Sequence, residues 1–151
     1  MHTRFLIVGQ GLTGTWLSHY LLQAQQSVLV VDKYQAMAAS RVASGVINPI
    51  TGKYMTQTWL ADQLLPFAFE QYQHLETLLG KQYLFQRSIC WLINNQHYYD
   101  DCQRLLKKNK TEHFIKTITT QPLDLPIRPM YGRVEINGGD VAIARFIADY
   151  R

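Results

Sequence analysis

Three glycines and one carboxylate, Gly9, Gly11, Gly14 and Asp32, are the residues of this 151-residue chain whose types and spacing point to a chemistry. The stretch Gly9-Gln10-Gly11-Leu12-Thr13-Gly14 is a GxGxxG turn. Such a turn suits a diphosphate. The first glycine permits a tight exit from a strand, the second lets the backbone approach a pyrophosphate, and the third allows a helix to pack closely on the strands. The first turn of that helix presents unpaired N–H groups and partial positive charge to the phosphates. Asp32 lies 18 residues after Gly14, where a carboxylate can accept hydrogen bonds from a ribose diol. Its charge opposes a 2′-phosphate, and Lys33 offsets that only in part, so NADP is not expected. NAD and FAD both present a free diol, and Asp32 alone does not separate them.

The elements that must position these residues are readable around them. Phe5–Val8 is an apolar run ending at Gly9, as expected for a strand buried on both faces. Leu12, Trp16, Leu17, Tyr20 and Leu21 recur three and four apart and predict a helix to about Gln25. Ser18, four residues after Gly14, extends the small face of that helix. Val28–Val31 is a second apolar run, and it leads into Asp32. Strand, glycine turn, helix, strand and acid together make a βαβ unit of a dinucleotide-binding fold. A bare glycine pattern would be weak; its context makes it specific.

Downstream, Ala39-Ser40-Arg41-Val42-Ala43-Ser44-Gly45-Val46-Ile47-Asn48-Pro49 is rich in small residues and hydroxyls. By composition it is a loop in close contact with something. Following the fingerprint, it resembles the D-amino-acid oxidase-like family of FAD-dependent oxidoreductases, of the glycine oxidase and sarcosine oxidase type. The resemblance covers residues 5–50 and fades beyond. It implies that Gly9, Gly11, Leu12, Thr13 and Gly14 form the phosphate turn and that Asp32 and Lys33 contact the adenosine ribose. It further implies that Ala39 and Ser40 lie near the phosphates and that Ser44, Gly45 and Val46 approach the flavin. The cofactor implied is FAD. The activity implied is oxidation of the C–N bond of an amino acid or related amine, by hydride transfer to the flavin. No catalytic residue is assigned. An NAD-dependent dehydrogenase and a non-catalytic nucleotide-binding module are the alternatives.

Beyond residue 50, apolar periodicity predicts a helix over Gln57–Leu79, kinked or split at Pro66. Tyr83–Asn94 reads as one long strand or a strand pair, Tyr98–Lys108 as a helix and Phe114–Thr119 as extended. Prolines at 122, 126 and 129 make 121–129 a rigid connector. Tyr131–Ile136 reads as a strand, Asn137-Gly138-Gly139 as a turn, Asp140 as an N-cap and Val141–Tyr150 as a helix. The fold class expected is α/β: a Rossmann-type FAD-binding βαβ unit, part of a doubly wound parallel sheet, plus the start of an antiparallel α+β substrate domain. The resemblance divides the chain into an FAD-binding region (1–80), the first part of a substrate domain (81–137) and a helix returning to the FAD domain (138–151). Only two parallel strands are visible, so the chain reads as truncated. Its partners would then be a small-molecule amine or amino acid, and either the missing C-terminal half or another copy of itself.

Composition excludes other classes. With 47% hydrophobic and 17% charged residues, the chain suits a globular domain rather than a disordered one. Net charge is +4 and evenly spread, which gives no nucleic-acid surface. The one dense cluster, Arg104, Lys107, Lys108 and Lys110, reads as the solvated C-terminal end of a helix. Cys90 and Cys102 form neither a disulfide framework nor a ligand pattern. His97, Asp100, Asp101 and Cys102 match no zinc spacing, so no metal is expected. His19 and His74 read as surface or packing residues. No apolar run is long enough for a membrane span or a signal segment, and a cytoplasmic location is expected.

Overall fold

The computed structural model describes residues 2–121, 126 and 131–151. The chain divides into two compact units, one of Met1–Gly45, Glu76–Tyr83 and Val141–Arg151, the other of Val46–Leu75 and Leu84–Asp140.

In the first unit, β1 (Phe5–Val8) and β2 (Val28–Val31) pair in parallel, with Phe5 opposite Val28 and Val8 opposite Val31. Helix α1 (Leu12–Gln23) connects them and packs on both. Side chains alternate along the strands, so Ile7 is buried while Leu6 and Val8 are exposed. The burial on both faces expected for these runs is not found in this unit. Helix α1 covers one face, and Leu6, Val8, Leu29 and Val31 stand on the other, each at least 48% exposed. Gln25, in the left-handed region at φ 58°, follows the end of α1.

Two further helices, α2 (Ala39–Val42) and α5 (Ile143–Asp149), pack against each other, and α5 also packs on α1. Phe146 lies with its ring centroid 5.5 Å from that of Trp16 and 5.4 Å from that of Tyr83. His19 is buried on α1, and its Nδ1 is 3.0 Å from the Tyr150 hydroxyl, so it is a packing residue; His74 is exposed.

In the second unit, β8 (Gly132–Val141) is the centre of a sheet, bonded to β3 (Val46–Ile47), β6 (Leu84–Ile93) and β7 (Ile115–Thr119). Its pairings with β3 and β7 are antiparallel. Strands β4 (Ile50–Thr51) and β5 (Thr56–Gln57) form a small hairpin. Ile50, Met55, Ile93, Val134 and Ile136 make a core with Cys102 and Leu106 of α4 (Gln96–Asn109).

Several boundaries differ from the sequence reading, each for a local reason. Helix α3 spans Ala61–Leu79, because 56–57 are taken by the hairpin and Leu60 adopts a left-handed φ of 51°. It is a single helix with Pro66 inside it. Helix α4 starts earlier than expected, because Asn95 Oδ1 accepts the Tyr98 N–H at 2.8 Å and caps it. Lys107 and Lys108 do occupy its last turn.

Asn137-Gly138-Gly139 is not a turn; it runs through the middle of β8. The glycines are there because neighbouring backbone comes close. A Cβ on Gly138 would lie 2.6 Å from the Ile47 carbonyl oxygen, and one on Gly139 2.6 Å from that of Phe85. Asp140 accordingly caps no helix. It sits in β8, with Oδ1 3.1 Å from Arg87 Nε, and Ala142 holds the cap position of α5. Of the connector 121–129, all but Gln121 and Pro126 lies outside the described residues.

Candidate functional site

The GxGxxG turn borders a cleft of about 470 Å³, lined by Leu6–Gly9, Gly11–Gly14, Leu17 and Ser40, all in the first unit. Gly9 turns the chain at φ 97°, a conformation that favours glycine, while its N–H donates to the Val31 carbonyl at 2.7 Å. Gly14 presses α1 onto β1. A Cβ there would collide with the Gly9 carbonyl oxygen and lie 3.4 Å from Ile7 Cγ2. Gly11 is the N-cap of α1 and has no side chain to cap with. Ser40 does that from α2, its Oγ accepting the Leu12 N–H at 3.1 Å. A Cβ on Gly11 would meet that Oγ at 3.0 Å. The helix start therefore offers N–H groups to an anion, with no acidic residue in the first turn to repel it.

Asp32 stands at the exit of β2. Its Oδ2 accepts the Gln10 N–H at 2.8 Å, and its Oδ1 accepts from the Tyr34 N–H at 2.8 Å and from Arg151 at 2.9 Å. These hold its carboxyl below the usual carboxylate range, the Gln10 N–H contributing most, then Tyr34, then Arg151. Three of roughly four acceptor positions of the carboxylate are taken, which leaves one on Oδ2. Arg151 and Tyr34 gave no signal in the sequence reading. Arg151 is 119 positions from Asp32, and the Tyr34 contact is made by backbone.

The remaining residues singled out in the sequence are distributed differently. Lys33, Ala39 and Ser44 are exposed. Gly45 has a reason internal to the fold: at φ 73°, its carbonyl accepts the Val141 N–H at 3.0 Å, and a Cβ would collide with the Val141 carbonyl. Val46 pairs opposite Asp140 in the second unit. Elsewhere, His97 and Asp101 meet on the solvent side of α4, where Asp101 also binds Arg104, which contributes most to lowering its carboxyl pKa. Both cysteines are free thiols; Cys102 is buried and its pKa is pushed up chiefly by that burial, while Cys90 is exposed and is raised by partial desolvation. Among the described residues, no helix is long and apolar enough to cross a membrane.

Residues 4–142 match the sequence profile of a family described as FAD dependent oxidoreductase (DAO). No curated protein sequence matches. Among solved structures, the fold is similar to that of glycine oxidase from Bacillus cereus ATCC 14579, at a TM-score of 0.69 and 15% identity over 99% of this chain and 42% of that one. It is also similar to L-amino acid deaminase from Proteus myxofaciens, with a TM-score of 0.70 and 14% identity over 99% of this chain and 36% of that one. For iminodiacetate oxidase from Chelativorans sp. BNC1 the TM-score is 0.62 and the identity 18%, over 97% and 43% of the two chains. The chain thus spans less than half the length of these structural relatives. It belongs to the FAD-dependent oxidoreductase family, and its cofactor is FAD.

Proposed function

We propose that this member of the family works in the cytoplasm as an oxidase of amino acids or related amines, to which residues 1–80 and 138–151 contribute the FAD-binding region and 81–137 the first part of a substrate domain. The observation that carries the reading is the glycine cradle. Gly9 turns through a left-handed φ, Gly14 has no room for a Cβ, and Gly11 opens the backbone between them. The close approach of α1 to β1 also requires Gly14, so the weight falls on Gly11, which leaves the N-terminus of α1 open to a diphosphate.

Within this reading, the Thr13 amide binds the FAD diphosphate directly, Leu12 acts through the Ser40 hydroxyl that its N–H holds, and Gly9, Gly11 and Gly14 give the diphosphate room. The Ser40 hydroxyl accepts from Leu12 N–H and keeps its own proton to donate to a phosphate oxygen. Asp32 uses its remaining Oδ2 position for the ribose diol, with Lys33 beside it, and Ala39 keeps the phosphate side of α2 narrow. Ser44, Gly45 and Val46 carry the backbone along the flavin. When bound, FAD supplies the acceptor for the hydride leaving the carbon of the substrate C–N bond. The chain's part is to bind and orient. The partner is a small-molecule amine or amino acid, not a nucleic acid or membrane. The NAD-dependent dehydrogenase reading is not favoured by the family match.

The visible spectrum of the purified protein and anaerobic mixing with a panel of amino acids and amines test this. Flavin absorbance bleached by a member of the panel is expected. Yellow protein that no amine bleaches would remove the amine from the reading, and colourless protein that takes up NAD but not FAD would remove the flavin.

A further inference from the structure

We infer that Arg41 is the cation that pairs with the FAD diphosphate, a role that rests on the phosphate-turn assignment but not on the nature of the substrate. The GxGxxG turn offers amides and no cation, although a diphosphate brings two negative charges into the cleft. The first unit holds six basic side chains: Arg4, Lys33, Arg41, Lys81, Arg145 and Arg151. Four are already engaged. Arg4 donates to Gln26 at 3.0 Å, Lys81 and Arg145 share Asp149, and Arg151 holds Asp32. Lys33 is exposed at the strand exit.

Arg41 differs from the others in two ways. It follows directly on Ser40, the residue of α2 that lines the cleft and meets the α1 N-terminus. Its guanidinium also pairs with no carboxylate among the described residues, and one terminal nitrogen is buried without an acceptor. A cationic N–H taken from water and left unpaired is unfavourable, so such an atom calls for an acceptor.

Its surroundings say which acceptor. The guanidinium lies 4.2 Å from the centroid of the Tyr34 ring, and the Tyr34 N–H is bound by Asp32 Oδ1. Arg41 thus follows Ser40 of the cradle directly in the chain and touches the ring of Tyr34, the residue whose backbone N–H binds Asp32. A dianionic group between ribose and helix N-terminus is the ligand that this position fits. Binding exchanges a cation–π contact with an exposed tyrosine for charge-assisted hydrogen bonds from a planar fork, the stronger of the two.

The test uses FAD-stripped protein and three probes: FAD by quenching of its fluorescence, and ADP and adenosine by competition. Arg41→Met keeps the apolar stem and removes the charge. It should weaken FAD and ADP roughly tenfold or more, and adenosine by less than about twofold. Arg41→Lys should restore part of the loss. Raising salt from about 0.05 to about 0.5 M should weaken ADP more for the wild type than for Arg41→Met, because salt screens the pair. A purely structural Arg41 would instead lower the melting temperature and shift all three ligands together, and that result overturns the proposal. So does wild-type affinity for ADP in Arg41→Met. If Arg41→Met fails to fold, Arg41→Gln replaces it with the same criteria. Failure of ADP to compete at all in the wild type would strike the phosphate turn itself, and so is distinguishable from failure of Arg41 alone.

Discussion

Replacing Gly14 with alanine separates two opposed expectations by sign. Gly14 is the third residue of α1, and alanine in a helix is favoured over glycine by up to about 1 kcal/mol. On propensity alone, Gly14→Ala stabilises. The packing predicts the reverse. The new methyl group would collide with the Gly9 carbonyl oxygen and stand 3.1 Å from the Gly9 carbonyl carbon. That carbonyl cannot easily withdraw, since the Gly9 N–H is tied to the Val31 carbonyl at 2.7 Å and Gly9 already holds a φ of 97°. The helix must therefore lift off the strand. Overpacking of this kind costs about 1–3 kcal/mol, and a backbone obstacle puts it at the upper end. Net of propensity, Gly14→Ala should destabilise by about 1–2 kcal/mol. Urea unfolding of the apoprotein measures this, with Gln23→Gly compared against Gln23→Ala at an exposed position of the same helix as the propensity control. The lifted helix start should also weaken FAD in a fluorescence titration. A Gly14→Ala variant that is more stable than wild type and binds FAD equally well would show that no such helix–strand contact exists.

Three other outcomes follow from the same unit. Gly11→Val should abolish FAD binding while the far-ultraviolet circular dichroism stays near native, since its neighbour is a movable hydroxyl, Ser40 Oγ at 3.0 Å, and not backbone; retained affinity would refute the phosphate turn. Asp32→Ala should weaken FAD roughly ten- to a hundredfold. Because the Asp32 carboxyl is held low by the Gln10 and Tyr34 amides and Arg151, its contribution should be complete above about pH 4 and fade only as pH falls below that; a loss of affinity centred near pH 6 in wild type but not in Asp32→Ala would contradict this. Tyr83, whose phenol is pushed up to about 12 by burial and then by Asp149, should keep its stabilising effect below pH 10 and lose it between pH 10 and 12, seen as alkaline unfolding that Tyr83→Phe delays.

What could be read from the sequence was what depends on near neighbours. The βαβ unit was legible because period, punctuation and spacing agree within residues 5–32. The two glycines of β8 misled for a physical reason. Asn-Gly-Gly is turn chemistry by local preference, but here the residues lack side chains because β3 and β6 approach them, and both lie more than 45 positions away in the chain. Local sequence holds no trace of that approach. The shifted start of α3 has the same origin, since Thr56 and Gln57 join a hairpin whose other strand is Ile50–Thr51.

The candidate site divides along the same line. Glycines report backbone geometry and so can be assigned from a pattern, whereas the groups that tune a carboxylate are set by tertiary contact. Asp32 was visible as an acid at the right spacing, but its occupied acceptor positions depend on Arg151 and on two main-chain amides. Gly45 shows the converse hazard. The resemblance assigns it to the cofactor, yet the fold already requires it, because Val141 closes the space where a Cβ would go. A glycine required by the fold is weak evidence for a ligand. That weighs Gly45 below Gly11, where the nearest obstacle is the hydroxyl of Ser40, a side chain that can move.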